Sequence, residues 1–215
     1  MSLSTGSILR HFHLGLCLSV LWGLSAPLHG STILNENFNE LTPALGATSV
    51  GAFSAINGTN VDILGTGTYG QFCFSPEGGN CVDMDGTGGD PQGQLESTMV
   101  FSPGTYLLSF DLIGSQRGNA ATTTVTFGNY TQTFVLASTD DSTGVVVNQS
   151  VTLTSAGQLS FASDTPGVSG DLLDNVSVST AATTAPEPSS LLLIAFTLLA
   201  GMLVAGRRLR TAAGR

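Results

Sequence analysis

Tyr106, Leu108, Phe110 and Leu112 alternate with Leu107, Ser109 and Asp111. Successive side chains of a β-strand point to opposite faces, so this spacing puts one set on a single dry face. The pattern returns at Val125 and Phe127, Phe134 and Leu136, Val145 and Val147, Val151 and Leu153, Leu159 and Phe161, and Val176 and Val178. Turn formers separate the repeats at Pro103-Gly104, Gly128-Asn129, Asp140 to Gly144, Ala156-Gly157 and Pro166 to Gly170. No stretch between residues 31 and 179 sustains a helical period. Antiparallel strands with one dry face need a second sheet to cover it. The expected fold is therefore all-β, an antiparallel β-sandwich of roughly eight to ten strands.

The two ends read differently. Leu14 to Leu24 is an apolar run that follows Arg10, His11 and His13 and precedes Ser25, Ala26, Pro27, Gly30 and Ser31. That order of flanks, on a run too short to span a bilayer comfortably, predicts a secretory signal peptide over residues 1–30, a substrate for signal peptidase. Cleavage after Gly30 suits the mature start better than cleavage after Ala26, which would leave Pro27 first; an uncleaved anchor is the alternative. At the other end, Ser189 to Gly206 holds 18 residues without a charge. At helical rise that is roughly 27 Å, enough to cross a bilayer core, so a transmembrane helix is expected over 189–206. Arg207, Arg208 and Arg210 follow as a stop-transfer cluster and mark the cytoplasmic side. The region between, 31–179, is then an ectodomain, joined to the tail by the small, uncharged linker 180–185.

Pro186, Glu187 and Pro188 stand directly before that span. The tripeptide, the apolar segment and the terminal arginines together resemble the PEP-CTERM sorting signal, over residues 186–215. The resemblance implies an exosortase as processing partner and a Gram-negative, exopolysaccharide-producing source. It places the protein in the cell envelope, at the cell surface or in the extracellular matrix, in contact with the membrane through the tail before processing. An ordinary single-pass anchor is the alternative.

Charge limits what the ectodomain can do. All three histidines and the only Trp lie in residues 1–30, lysine is absent, and Arg117 is the one basic residue between 31 and 179. Fourteen acids face it, a net charge of −13. One arginine cannot replace the counterions of a phosphate backbone, so nucleic acid is excluded. Without His there is no Ser-His or Cys-His nucleophile and no His-ligated zinc; without Lys there is no Schiff base. Only a pair of carboxylates is left for catalysis, as in a glycosidase. Acid-rich surfaces can bind calcium, which takes oxygen ligands, or can simply keep a secreted chain soluble.

Cys73 and Cys81 are the only cysteines of the exported part and bracket the turn sequence Pro76-Glu77-Gly78-Gly79. In an oxidising compartment they are expected to form a local disulfide.

Three segments carry a second resemblance: LNENFN from Leu34, the stretch from Cys81 to Gly118 with its Pro-Gly-x-Tyr-x-Leu-x-Phe strand, and DLLDNVSVS from Asp171. They resemble the galactose-binding-like jelly roll of carbohydrate-binding modules. That resemblance implies a last strand lying beside the first and a structural calcium between them, at Asn39 and Asp174 with Asp171 near. A second candidate calcium loop is Asp83, Asp85 and Asp90 in DMDGTGGD, although its glycine spacing is not that of an EF-hand. Sugar-binding members stack the ring on an exposed aromatic. The ectodomain offers only Tyr69 and Tyr130 for this, because Tyr106 alternates inward.

The expectation from sequence is a non-catalytic, exported surface or matrix protein associated with exopolysaccharide. The alternatives are a weak carbohydrate-binding module, marked by an exposed tyrosine in a groove, and a carboxylate-dependent glycosidase, marked by two carboxylates facing a cleft.

Overall fold

The alternation centred on Phe110 becomes the longest strand among the described residues of the computed structural model, which are 30–73, 79–88 and 91–181. The expected signal peptide, Pro186 to Pro188, the span 189–206, Arg207, Arg208 and Arg210 lie outside them, as does Asp90. No helix among the described residues is long and apolar enough to cross a membrane.

Gly30–Thr183 form one compact unit. Its strands are β1 (Thr32–Glu36), β2 (Ala44–Ala47), β3 (Ser49–Val50), β4 (Phe53–Ala55), β5 (Val61–Leu64), β6 (Cys81–Asp83), β7 (Gln94–Ser97), β8 (Gly104–Ile113), β9 (Ala121–Phe127), β10 (Tyr130–Leu136), β11 (Val146–Leu153), β12 (Ser160–Ser163) and β13 (Leu172–Thr180). They make two antiparallel sheets: β11-β8-β13-β6-β5-β2, with β1 also on β13, and β10-β9-β12-β7-β4-β3. The fold is an antiparallel β-sandwich, and the first strand lies beside the last. Thirteen strands among the described residues exceed the eight to ten expected. The surplus is in β2, β3 and β4, of two to four residues each, which are too short to show a period.

Tyr106, Leu108, Phe110 and Leu112 are buried as their spacing requires, and so are the other alternating pairs except Val145 and Val147, which are 41% and 70% exposed. The cause is a bulge. Between Val146 and Gln149, β11 advances three residues while β8 advances two, and Asn148 takes a left-handed φ of 52°. One extra residue flips every side chain before it to the other face, so Val146 rather than its neighbours packs on the core. Asn175, also at φ 52°, makes the matching bulge in β13 on the other side of β8. There β13 changes partners, from β6 at Leu172 and Leu173 to β1 at Val176 through Ser179.

The two sheets are joined by aromatic rings. Phe110 of the first sheet meets Phe161 and Phe134 of the second edge-on, at 5.4 and 5.8 Å between centroids. Phe161 in turn meets Phe53 at 5.9 Å. Edge-to-face pairs add about 0.5–1.5 kcal/mol each to the burial itself. The carboxy end of the sandwich holds longer than the sequence boundary at 179. Thr180 still pairs with Tyr106, and the Ala181 amide donates to the Thr105 carbonyl at 3.1 Å.

Candidate functional site

Two places draw together the residues singled out by sequence: a groove beside the disulfide loop and a buried acidic end of the sandwich.

The groove is built from the loop between β5 and β6. The Gly70 amide donates to the Gly65 carbonyl at 3.0 Å, closing a tight turn that leads into a 3-10 turn over Gly70–Phe72. Tyr69 sits at that junction with φ 55°, a left-handed conformation that costs a bulky residue about 1–3 kcal/mol. The outcome is a ring pushed outward, 53% exposed. It stands over a depression of about 660 Å³ lined by Pro43, Leu45, Thr68, Tyr69 and Gln71 among others, open to solvent at the edge strand β2. Tyr130, the other candidate, is half-buried against the core and donates its hydroxyl to Gln132 Oε1 at 2.8 Å. Burial raises its pKa above the ordinary tyrosine value.

The loop is tied down behind Tyr69. Phe72 stacks beside it at 6.4 Å and 25° and covers a small apolar cluster of Leu64, Cys81, Ile113 and Leu172 on the outer face of the first sheet. Cys73 and Cys81 are joined by a disulfide, with their Cα atoms 5.5 Å apart. Closing so short a loop stabilises by about 2–3 kcal/mol on the chain-entropy estimate. Replacing both cysteines with serine is expected to lower stability by that amount, read from urea unfolding followed by circular dichroism. A loss below about 0.5 kcal/mol would show that Phe72 alone holds the loop.

The acidic end lies where β6, β8 and β12 finish and β7, β9 and β13 begin. Asp83 points to the outer face. Its Oδ1 accepts from the Gly170 and Asp85 amides at 2.8 and 3.0 Å, and its Oδ2 is ion-paired with Arg117. The Arg117 guanidinium lies 5.6 Å from the Phe72 ring centre, which links this end to the Tyr69 loop. Burial lifts the Asp83 carboxyl to about 7 in spite of Arg117 and the two amides.

Asp171 points the other way, between the sheets, where Thr123 Oγ1 donates to its Oδ2 at 2.8 Å. Its pKa is pushed up to about 7, first by burial and then by the charges of Asp85 and Asp83. Asp85 is fully buried and also raised by burial; the Ser163 hydroxyl, the Gly93 amide and Arg117 oppose the rise. Neither the hydroxyl nor the amide closes a well-formed hydrogen bond, and both Asp85 oxygens and Asp171 Oδ1 are left without one. Gly170 is required here, since a Cβ on it would stand 2.6 Å from the Asp85 amide nitrogen.

The sets expected from sequence are not assembled as written. Asn39 Oδ1 accepts from the Asn80 amide at 2.8 Å. Asp174 faces the outer surface beside Cys81, Asp111, Ile113 and Leu172, and opposes Asp111 across the strands. Burial, then the Asp111 charge after the Asn175 amide has pulled the other way, leaves its pKa at about 6. Asp171 is on the inner face, so the strand-closing set Asn39, Asp171 and Asp174 does not fit one ion. In the loop set, Asp83 is taken by Arg117. Among the described residues, no three His, Cys, Asp or Glu side chains are arranged to hold a metal. What the structure does bring together is one member of each set, Asp85 and Asp171, with Thr123 and Ser163. These two hydroxyl residues had a sequence signal that was not used: each continues the inward parity of an apolar run, Thr123 before Val125 and Phe127, and Ser163 after Leu159 and Phe161.

No family model and no curated protein matches the sequence. Among solved structures, the chain is similar to a cleaved adhesin domain of Lys-gingipain from Porphyromonas gingivalis, at 16% identity and TM-score 0.45, over 71% of this chain and 100% of that one. It is similar to the tandem CBM22 domain of Paenibacillus barcinonensis Xyn10C at 17% identity and TM-score 0.45, over 77% of this chain and half of that one. The single xylan-binding CBM22 domain of the same enzyme gives 16% identity and TM-score 0.40, over 71% and 97%. At these values the likeness concerns sandwich architecture, and nothing those proteins bind is transferred by it.

Proposed function

We propose that the sandwich is a non-catalytic carbohydrate-binding module that stacks a neutral polysaccharide on Tyr69. The observation that carries this is the ring itself: an aromatic side chain held in a left-handed backbone conformation, half-exposed, over an open groove. An aromatic face offers apolar contact to the C–H face of a sugar ring, and the Thr68 and Gln71 side chains supply polar partners at the rim. Neutral sugars are favoured because the net charge of −13 repels acidic polymers. Binding without cleavage is supported by the groove lining, which contains no carboxylate among the described residues. A glycosidase needs two carboxylates facing a cleft about 5–10 Å apart, and the Asp85 and Asp171 carboxylates are sealed from solvent. Export, exosortase sorting and residence at the cell surface or in the matrix belong to the same proposal and rest on the sequence of the two ends.

A glycan array of neutral polysaccharides, followed by affinity electrophoresis on the hits, tests the module. Tyr69→Ala is expected to weaken binding about tenfold or more, as for a central aromatic contact, while Tyr130→Ala leaves it within about twofold. A protein that retains no glycan, or a Tyr69→Ala variant that binds like the wild type, would overturn the proposal.

A further inference from the structure

Three carboxylates at one end of the sandwich, Asp83, Asp85 and Asp171, are fully buried, and one cation, Arg117, is at hand. Arg117 is committed to Asp83 by the ion pair. Asp85 and Asp171 are left with three oxygens that make no well-formed hydrogen bond, the Ser163 hydroxyl and the Gly93 amide standing near Asp85 without closing one. A buried polar atom without a partner is costly, and more so when charged, so such atoms in a folded protein point to a bound ion, water or proton.

We propose that Asp85 and Asp171, with the hydroxyls of Ser163 and Thr123, form a site for one hard divalent cation, calcium by preference, between the two sheets.

The four residues are set by backbone that the fold fixes independently. The Met84 amide donates to the Asp171 carbonyl at 2.9 Å, so the segments carrying Asp85 and Asp171 run side by side. Opposite them, Ser163 and Thr123 are direct cross-strand partners on β12 and β9, both facing inward. The Ser163 amide donates to the Gly93 carbonyl at 2.9 Å, which holds β12 against the segment entering β7. Two carboxylates balance a doubly charged ion. All four side chains offer oxygen, and none offers nitrogen or sulfur, which selects against zinc. Calcium tolerates an irregular oxygen shell completed by carbonyls and water, whereas magnesium demands a near-regular octahedron and gives up its waters reluctantly. The site differs from the strand-closing position that the family resemblance implied, since Asn39 and Asp174 take no part. It does not depend on sugar binding.

The test uses the full chain, with calcium chloride, magnesium chloride or chelator as the only variable, at about pH 8, where protons compete least. Calorimetry is expected to find one calcium per chain. A hundredfold excess over the dissociation constant should raise the melting temperature by about 5–10 °C, with a much smaller effect of magnesium. The double variant Asp85→Asn with Asp171→Asn keeps shape and removes both charges, so it should fold and lose the calcium response. Asp174→Asn should keep it. The proposal is overturned if calcium neither binds nor shifts melting, if the double variant responds like the wild type, or if Asp174→Asn alone abolishes the response. It is equally overturned if acidification in chelator stabilises the protein while calcium does nothing, because the pair then holds protons.

Discussion

Replacing Arg117 with methionine is expected to cost about 2 kcal/mol at pH 8, short of the roughly 3–5 kcal/mol for a buried partner that must stay charged. Asp83 has no exposed side-chain surface, and the Arg117 side chain only 19%. Methionine keeps much of the packing over Phe72 and removes the charge. Asp83 would retain the Gly170 and Asp85 amides on one oxygen and nothing on the other. Its burial already lifts its pKa to about 7 with Arg117 present, so without Arg117 it escapes the cost by taking up a proton. The loss should therefore shrink as pH falls from about 8 to about 6, and that dependence separates lost charge from lost packing. Adding Asp83→Asn should recover more than half of the deficit, since the amide oxygen can still accept from both backbone donors. Urea unfolding followed by circular dichroism closes the cycle. A single variant within about 1 kcal/mol of wild type at pH 8 would mean that solvent reaches Asp83. Because the guanidinium also lies under Phe72, the same variant should loosen the Tyr69 loop and weaken glycan binding.

The sandwich was legible wherever strands were long enough to repeat. In β8 four apolar residues at spacing two decide the inward face, and the structure agrees at every one. The same rule failed at Val145 and Val147. Periodicity assumes an unbroken ladder, and the bulge at Asn148 inserts a residue without changing the local composition. Asn tolerates left-handed φ better than most residues, so Asn148 and Asn175 were the available hints.

The acidic end was half-legible. That Asp83, Asp85, Asp171 and Asp174 are candidates could be read from an acid-rich chain with one arginine. Which of them meet could not, because it depends on the face each takes. Asp171, just before β13, and Asp174 within it are three residues apart and so fall on opposite sides of the sheet, while Asp85 comes to the inner side only after the chain bends away at the end of β6. Thr123 and Ser163 illustrate a usable rule: a polar residue at the inward parity of a strand needs a partner, and the partner marks the site. Elimination among three tyrosines left Tyr69 and Tyr130 together, and the left-handed turn that sets Tyr69 apart depends on the bonds between Gly65 and Gly70 and has no period to betray it.

In chelator, stability is expected to fall by several kcal/mol as pH rises from about 4 to about 7. The sign follows from proton uptake. The native carboxyls of Asp83 and Asp171 titrate near 7 and that of Asp174 near 6, against 3.8 as their ordinary value. Between those limits the native state holds protons that the unfolded chain has released, so each step upward in pH favours unfolding. Below about 4 both states are protonated and the full stability is present; above about 7 both are ionised and the loss is complete. A rise from 3.8 to about 7 corresponds to about 4 kcal/mol for one carboxyl. The groups share a field: Asp171 feels Asp85, Asp83 and Asp140 as well as its own burial, so their titrations are coupled and the total is less than a sum. Urea unfolding at intervals between about pH 4 and pH 8 in chelator measures the slope, and stability that stays level or rises over that window would contradict it. Asp171→Asn should flatten the curve by removing one of the steepest contributors. Saturating calcium should flatten it too, by holding Asp85 and Asp171 ionised in the folded state, while the part due to Asp83 persists because its partner is Arg117. The difference between the curves with and without calcium then assigns the acid sensitivity of this fold to the inner pair or to the outer one.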